Sequence, residues 1–300
     1  MNSPLLFPVK LIDKGIKVLD ETLLPFKEEY IDVQSLPEAL TVLREMKTRS
    51  LGQVLLFFYS CVQFRDGNTI DSIADQFTQN RPTFDFAMLA QILKYQIGPA
   101  ISIKDVVNGF VRGFDAARRR RAAYLAALLP KDAKILTICN VNGELIYLYE
   151  ELIKAGKQAE FYVCETRPYL QGTRQTFWEL NINNIPVKVI CDNQAAALMR
   201  DKKVNCVVTG ADRATTKGGV INKIGTYSLA VLAKYFNIPF YPLTQYPRDI
   251  NIETIPIEER PQEETFMFLS GDFSQYDAFY PAFDIISHEL VTQPIIMEMR

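Results

Sequence analysis

The chain has 300 residues, 48% hydrophobic and 23% charged, a globular composition with room for two domains. A formal net charge of −2 with evenly mixed signs leaves no broad electrostatic footprint for nucleic acid or an anionic membrane, so any phosphate binding must be local. The five cysteines (Cys61, Cys139, Cys164, Cys191, Cys206) are widely spaced without a CxxC pair, and His288 is the one histidine, which argues against a disulfide framework and against a zinc site. No basic-then-apolar signal segment opens the chain and no window reaches 18 uninterrupted apolar residues, so a cytoplasmic protein with no membrane partner is expected.

In chain order, residues 18–24 and 30–33 read as a short hairpin or edge strands punctuated by Pro25. Residues 36–128 read as mostly helical, with apolar residues recurring at three and four in 36–46, 54–64, 84–95 and 106–129. This predicts an N-terminal helical domain with a small β cap over residues 1–130. The pattern then changes. Short β-branched runs at 133–139, 158–164, 186–191, 204–209 and 239–242 alternate with helical stretches at 144–155, 174–181, 193–200 and 223–236. Such alternation predicts a doubly wound parallel α/β sheet over residues 131–300. Arg118–Arg121 cannot share one helix face, so some of these arginines must point toward other groups, and the run reads as a solvated or interdomain face more than as a nucleic-acid patch.

Parallel sheets present side chains outside the carboxyl ends of their strands. The first α/β strand delivers Cys139 and Asn140 there, and the fourth delivers Asp212 in a Gly-containing polar loop followed by Asn222, Lys223, Gly225 and Thr226. A helix cap is the plain alternative for Asp212. A nucleophilic thiol needs a base, and the lone His288, read as a helix start, makes a Cys-His hydrolase a poor fit. Thiol and carboxylate together suit one group removing a proton while the other delivers one. Between them, Arg167, Gln171, Gly172 and Arg174 crowd a strand-to-helix turn of the kind that holds phosphate or sugar hydroxyls, unless they only shape a solvated turn. Neither a GxGxxG nor a GxxxxGKS/T motif occurs.

The strings LDETLLP, NRPT, ILTICN, ETRPYLQGTR, CDNQAAALM, GADR, INKIGTY, IPIEER and YPAFDIISHELVT, running from about Val18 to Thr292, resemble the methylthioribose-1-phosphate isomerase family. Its relatives include ribose-1,5-bisphosphate isomerase and the regulatory subunits of the translation-initiation guanine-nucleotide exchange factor. The resemblance implies a helical domain followed by a Rossmann-like domain, a homodimer, and an aldose–ketose isomerisation in methionine salvage that needs neither metal nor organic cofactor. By the same resemblance, Asp212, kept protonated, donates to the ring oxygen of a sugar phosphate while Cys139 moves the C2 proton toward C1. Arg49, Arg81 and Gln171 match the family's phosphate positions, and Asn222 and Lys223 its NK pair beside the sugar.

The chain also departs from the pattern. The family's RGAPAIG reads RSLGQVL here, CNAGALAT reads CNVNGELI, and Gly219 replaces the aspartate of GDVANK. Another 1-phosphorylated pentose, such as ribose 1,5-bisphosphate or a 5-deoxyribose 1-phosphate, is therefore an alternative substrate. A non-catalytic regulatory protein of the exchange-factor kind is the alternative from another class.

Overall fold

Apolar residues at alternating and helical spacing set the elements of the computed structural model, which describes residues 1–245 and 247–296. By internal contacts the described chain divides between Ala117 and Arg118. That division lies inside a long helix, whereas the sequence points to Pro130 at its end.

In the first unit β1 (Val9–Ile12), β2 (Gly15–Leu19) and β3 (Tyr30–Val33) form an antiparallel sheet with β2 central. The expected strand over 18–24 is thus shifted: β2 ends at Leu19, and its partner β1 lies ahead of the expected segment. Five helices follow: α1 (Leu36–Arg44), α2 (Leu51–Gln63), α3 (Ile70–Asn80), α4 (Phe86–Gln96) and α5 (Ile103–Leu128). Ser35, Thr69 and Asp85 cap α1, α3 and α4 through their side chains, each worth about 1 kcal/mol. Packing weighs more. Phe57, Phe58, Phe77 and Phe86 are fully buried with ring centroids of contacting pairs 5.2–5.7 Å apart, and each buried ring contributes roughly 1.5–3 kcal/mol.

In the second unit a six-stranded parallel sheet has the order β12-β10-β7-β4-β5-β6, from β4 (Asp132–Thr137), β5 (Gln158–Cys164), β6 (Val187–Ile190), β7 (Cys206–Gly210), β10 (Phe240–Thr244) and β12 (Ile295–Ile296). Its connections include α6 (Glu144–Lys154), α7 (Trp178–Ile182) behind a π-helical turn at Gly172–Phe177, α8 (Ala195–Arg200) and α9 (Thr226–Tyr235). The α/β doubly wound expectation is met. The chain winds outward from β4 through β5 to β6, then returns to β7 on the other side of β4. Strand order therefore reverses between β4 and β7, which is where such sheets open a crevice for ligands.

A second small sheet, antiparallel in the order β11-β9-β8, comprises β8 (Arg213–Ala214), β9 (Val220–Lys223) and β11 (Phe283–Ile286). It corrects the expected helix over 223–236. Lys223 closes β9, and α9 begins only at Thr226, after Gly225 takes φ 99°. His288, expected to start a helix, lies in a 3-10 turn at His288–Leu290.

Candidate active site

β4 ends at Thr137 and β7 at Gly210, so Cys139 and Asp212 each stand two residues past the carboxyl end of two neighbouring parallel strands. Contacts across this edge are close. A β-carbon at Gly210 would lie 3.5 Å from Val141 Cγ1 and 3.8 Å from Asn222 Oδ1, and one at Gly225 would lie 2.9 Å from Ile138 Cδ1. Gly225 is favoured by its φ of 99°, and a side chain there would also have to push aside the end of Ile138, the residue before Cys139.

The Cys139 main chain is held at both ends, its N–H donating to Thr166 Oγ1 at 2.9 Å and its carbonyl accepting from Thr176 Oγ1 at 2.6 Å. Asp212 donates its N–H to Ile221 O at 2.8 Å, which ties the Asp212 loop to β9. Both side chains are half-buried.

The turn after β5 carries Gln171, which is 3% exposed, with an Oε1 that has no hydrogen-bond partner. A buried orphan acceptor is costly unless a ligand or water satisfies it. The next residue has to be glycine, since a β-carbon at Gly172 would lie 1.8 Å from Cys164 O. Of the two arginines in this turn, Arg167 reaches Thr265 O at 2.9 Å and stacks 4.3 Å from the Phe268 ring centroid.

Asn222 and Lys223 are both buried. Asn222 Nδ2 donates to Thr226 Oγ1 at 2.9 Å. The Lys223 ammonium donates to Tyr280 OH at 2.8 Å and lies 5.5, 5.1 and 5.9 Å from the ring centroids of Tyr169, Tyr280 and Phe283. Aromatic faces can hold a desolvated cation in this way. Burial pushes the phenols of Tyr169 and Tyr280 upward, so both stay protonated donors at neutral pH. Tyr169 in turn receives Arg260 Nη2 at 3.1 Å and donates to Glu264.

Arg49 and Arg81 belong to the first unit. Arg49 is half-buried at the entry to α2, its N–H donating to Glu21 Oε1 at 3.0 Å, and buried Arg81 donates to Met46 Sδ. Ser50, where resembling sequences have glycine, takes φ 41°. Serine keeps a backbone that glycine adopts without steric cost.

Sequence reasoning missed several neighbours. Asp284 faces Asn222 across the β9–β11 pairing and caps α9, Oδ2 accepting from Gly225 N at 2.7 Å and Tyr227 N at 2.9 Å. Its sequence signal was an aspartate within PAFD. Burial raises its carboxyl above the usual value, with the two N–H bonds and Lys223 opposing. A raised folded-state pKa means that the native state holds the proton more tightly, so this group's contribution to stability falls as pH rises above about 4. The stability of wild type relative to Asp284→Asn will therefore decline between acidic and neutral pH in urea titrations; a difference that grows with pH would refute this.

The arginine run is resolved as well. Arg118 and Arg121 are buried, Arg118 Nη1 donating to Asn142 O at 2.9 Å. Arg119 stacks 3.9 Å from the Tyr147 ring centroid. They brace the loop after Cys139 and form no basic stripe.

Among the thiols, Cys191 is exposed and Cys139 half-buried, while Cys61, Cys164 and Cys206 are buried. Burial pushes Cys61 up to about 12 and raises Cys164 and Cys206 too. A thiol reagent will therefore modify Cys191 and Cys139 in the folded protein, and the rest only after unfolding. Peptide mapping that found a buried cysteine labelled under native conditions would contradict this.

The reversed strand order defines a Rossmann-type α/β protein, with a thiol and a carboxylate past the strand ends at its switch point and an orphan acceptor on the neighbouring turn. The chain belongs to the Initiation factor 2 subunit family, whose model it matches over residues 87–299. It is 34% identical to a methylthioribose-1-phosphate isomerase of Anaeromyxobacter sp. (strain Fw109-5), the alignment covering 97% of this chain and 93% of that one. A protein of the same name from Syntrophotalea carbinolica is 34% identical over 86% of this chain and 84% of its own. Among solved structures, 5-methylthioribose 1-phosphate isomerase from Pyrococcus horikoshii OT3 superposes with a TM-score of 0.73 at 25% identity, covering 98% and 93% of the two chains. Translation initiation factor eIF-2B, subunit delta, from A. fulgidus gives 0.71 at 27%, covering 96% and 93%.

Proposed function

We propose that the protein is an aldose–ketose isomerase that converts 5-methylthioribose 1-phosphate to 5-methylthioribulose 1-phosphate in methionine salvage, working as a cytoplasmic homodimer. The observation that carries this reading is the placement of Cys139 and Asp212 past the ends of β4 and β7, in a chain whose relatives bear that name. The anomeric carbon is locked by its phosphate, so the ring must be opened by acid. Asp212 in its acid form gives a proton to the ring oxygen as the C1–O bond breaks. The Cys139 thiolate takes the C2 proton and returns it to C1. Asp212 recovers a proton from the C2 hydroxyl as that carbon becomes the ketone, so atoms and charge balance over the cycle.

Gln171, with its orphan acceptor on the turn after β5, and the buried Lys223 ammonium, with its phenol partner Tyr280, support the reading, as does Asn222 beside Lys223 on β9. Arg49 and Arg81 enter this reading as phosphate ligands on their motif positions alone.

Ser50 and Gly219, which depart from the family pattern, favour testing neighbouring substrates. Purified protein is to be assayed on 5-methylthioribose 1-phosphate, ribose 1,5-bisphosphate and 5-deoxyribose 1-phosphate. The highest kcat/KM on the first supports the reading, preference for another 1-phosphate moves the substrate and keeps the reaction, and no ketose from any of them overturns it in favour of a regulatory protein.

A further inference from the structure

Two left-handed residues meet at the carboxyl edge of the sheet. Cys139 has φ 65° and Thr166 φ 66°, and for a β-branched side chain such as threonine that region is a genuine outlier. They follow β4 and β5, which pair in parallel from Asp132↔Gln158 to Thr137↔Val163. One hydroxyl joins them. Thr166 Oγ1 accepts from Cys139 N at 2.9 Å and donates to Cys164 O at 2.9 Å, so it uses both its acceptor and its donor on main-chain groups.

Thr166 is itself held fast. It is 1% exposed, and its N–H and that of Arg167 donate to the two oxygens of Asp192, each at 2.8 Å. Beyond Cys139, Thr176 Oγ1 donates to the Cys139 carbonyl and accepts from Asn140 Nδ2 at 3.1 Å. Strained backbone persists only where its surroundings over-determine it, and such residues gather at functional sites.

We propose that Thr166 is a positioning residue for Cys139: with Thr176, its hydroxyl clamps the Cys139 backbone in the left-handed conformation and so fixes where the thiol stands. The inference rests on Cys139 being the reacting group of the proposed isomerase. Without the clamp, φ at Cys139 relaxes to the negative side that its Cβ prefers, and the Cα–Cβ bond swings the sulfur away from its station.

The test compares Thr166→Val, which keeps branching and volume but has no hydroxyl, with Thr166→Ser, which keeps the hydroxyl alone. Turnover of the sugar 1-phosphate is one readout. The other, independent of any substrate, is the rate at which iodoacetamide alkylates Cys139, followed by peptide mapping. In Thr166→Val, kcat will fall about 100-fold, the scale of a misplacement near 1 Å, with KM little changed. Its alkylation rate will depart from wild type, and Thr166→Ser will restore both.

Wild-type values of both in Thr166→Val overturn the proposal, and so do equal losses in Val and Ser, which would assign the effect to the methyl group. Should Thr166→Val not fold, Thr176→Val is held to the same two readouts and the same outcomes. If no variant and no wild type turns over sugar phosphate but the alkylation pattern holds, the isomerase reading fails while the clamp stands.

Discussion

Asp212→Asn and Cys139→Ala will each lower kcat on the sugar 1-phosphate by about 10²–10⁴, the range for losing a positioned proton donor or acceptor. Melting temperatures will change little, because main-chain hydrogen bonds seat these residues: Cys139 N and O to Thr166 and Thr176, Asp212 N to Ile221 O. Both side chains are half-buried, so their replacement opens no large cavity. The split matters. Loss of kcat with KM retained marks a group acting on the transition state, whereas a raised KM alone would make these residues binding contacts. Unchanged turnover in both variants would remove the catalytic assignment and leave the fold untouched.

Arg121→Met will cost about 3–5 kcal/mol of stability, since it leaves a buried carboxylate uncompensated. Arg121 and Glu144 form a two-pronged pair with both bonds at 2.6 Å and side chains 1% and 3% exposed, and Arg121 Nη1 also donates to Thr244 O at 2.6 Å. The pair joins α5, the start of α6 just beyond Cys139 and the carboxyl end of β10. Removing both charges, as in Arg121→Met with Glu144→Met, will recover most of the loss, because a buried ion pair is often no better than well-packed apolar groups. Urea unfolding measures both. A single-variant cost below about 1 kcal/mol would place the pair among surface ion pairs.

These expectations show what the sequence could and could not disclose. The parallel sheet was legible because its buried strands are short apolar runs, such as Phe161 with Val163 and Val207 with Val208, set between amphipathic helices. Strand ends placed Cys139 and Asp212 at one rim of the sheet, whereas the order that makes β4 and β7 neighbours carries no local signal. The β9–α9 boundary was misread because Val220, Ile221, Asn222 and Lys223 are all buried and run without alternation into the helix. Only Gly225, with its positive φ, marks the break. β8 stayed hidden since a two-residue strand has too little periodicity to register.

Partners distant in sequence were illegible for another reason. Asp284 reaches α9 from 59 positions away and Thr166 reaches Cys139 from 27, and neither spacing carries a local signal. The solvated or interdomain face expected for Arg118 and Arg121 is corrected by their burial against Asn142 O and the Glu144 carboxylate. Ser50 illustrates the converse: sequence flagged it as a departure from glycine, and the backbone shows what it costs, a left-handed φ of 41°.

Carbon-13 NMR of the wild-type protein with 5-methylthioribose 1-phosphate labelled at C2 decides whether the protein carries out this isomerisation. The C2 signal will move to that of a ketone while the phosphate stays esterified at C1. A C2 signal that remains that of the furanose at high enzyme concentration, or inorganic phosphate released in place of a ketose, would contradict it.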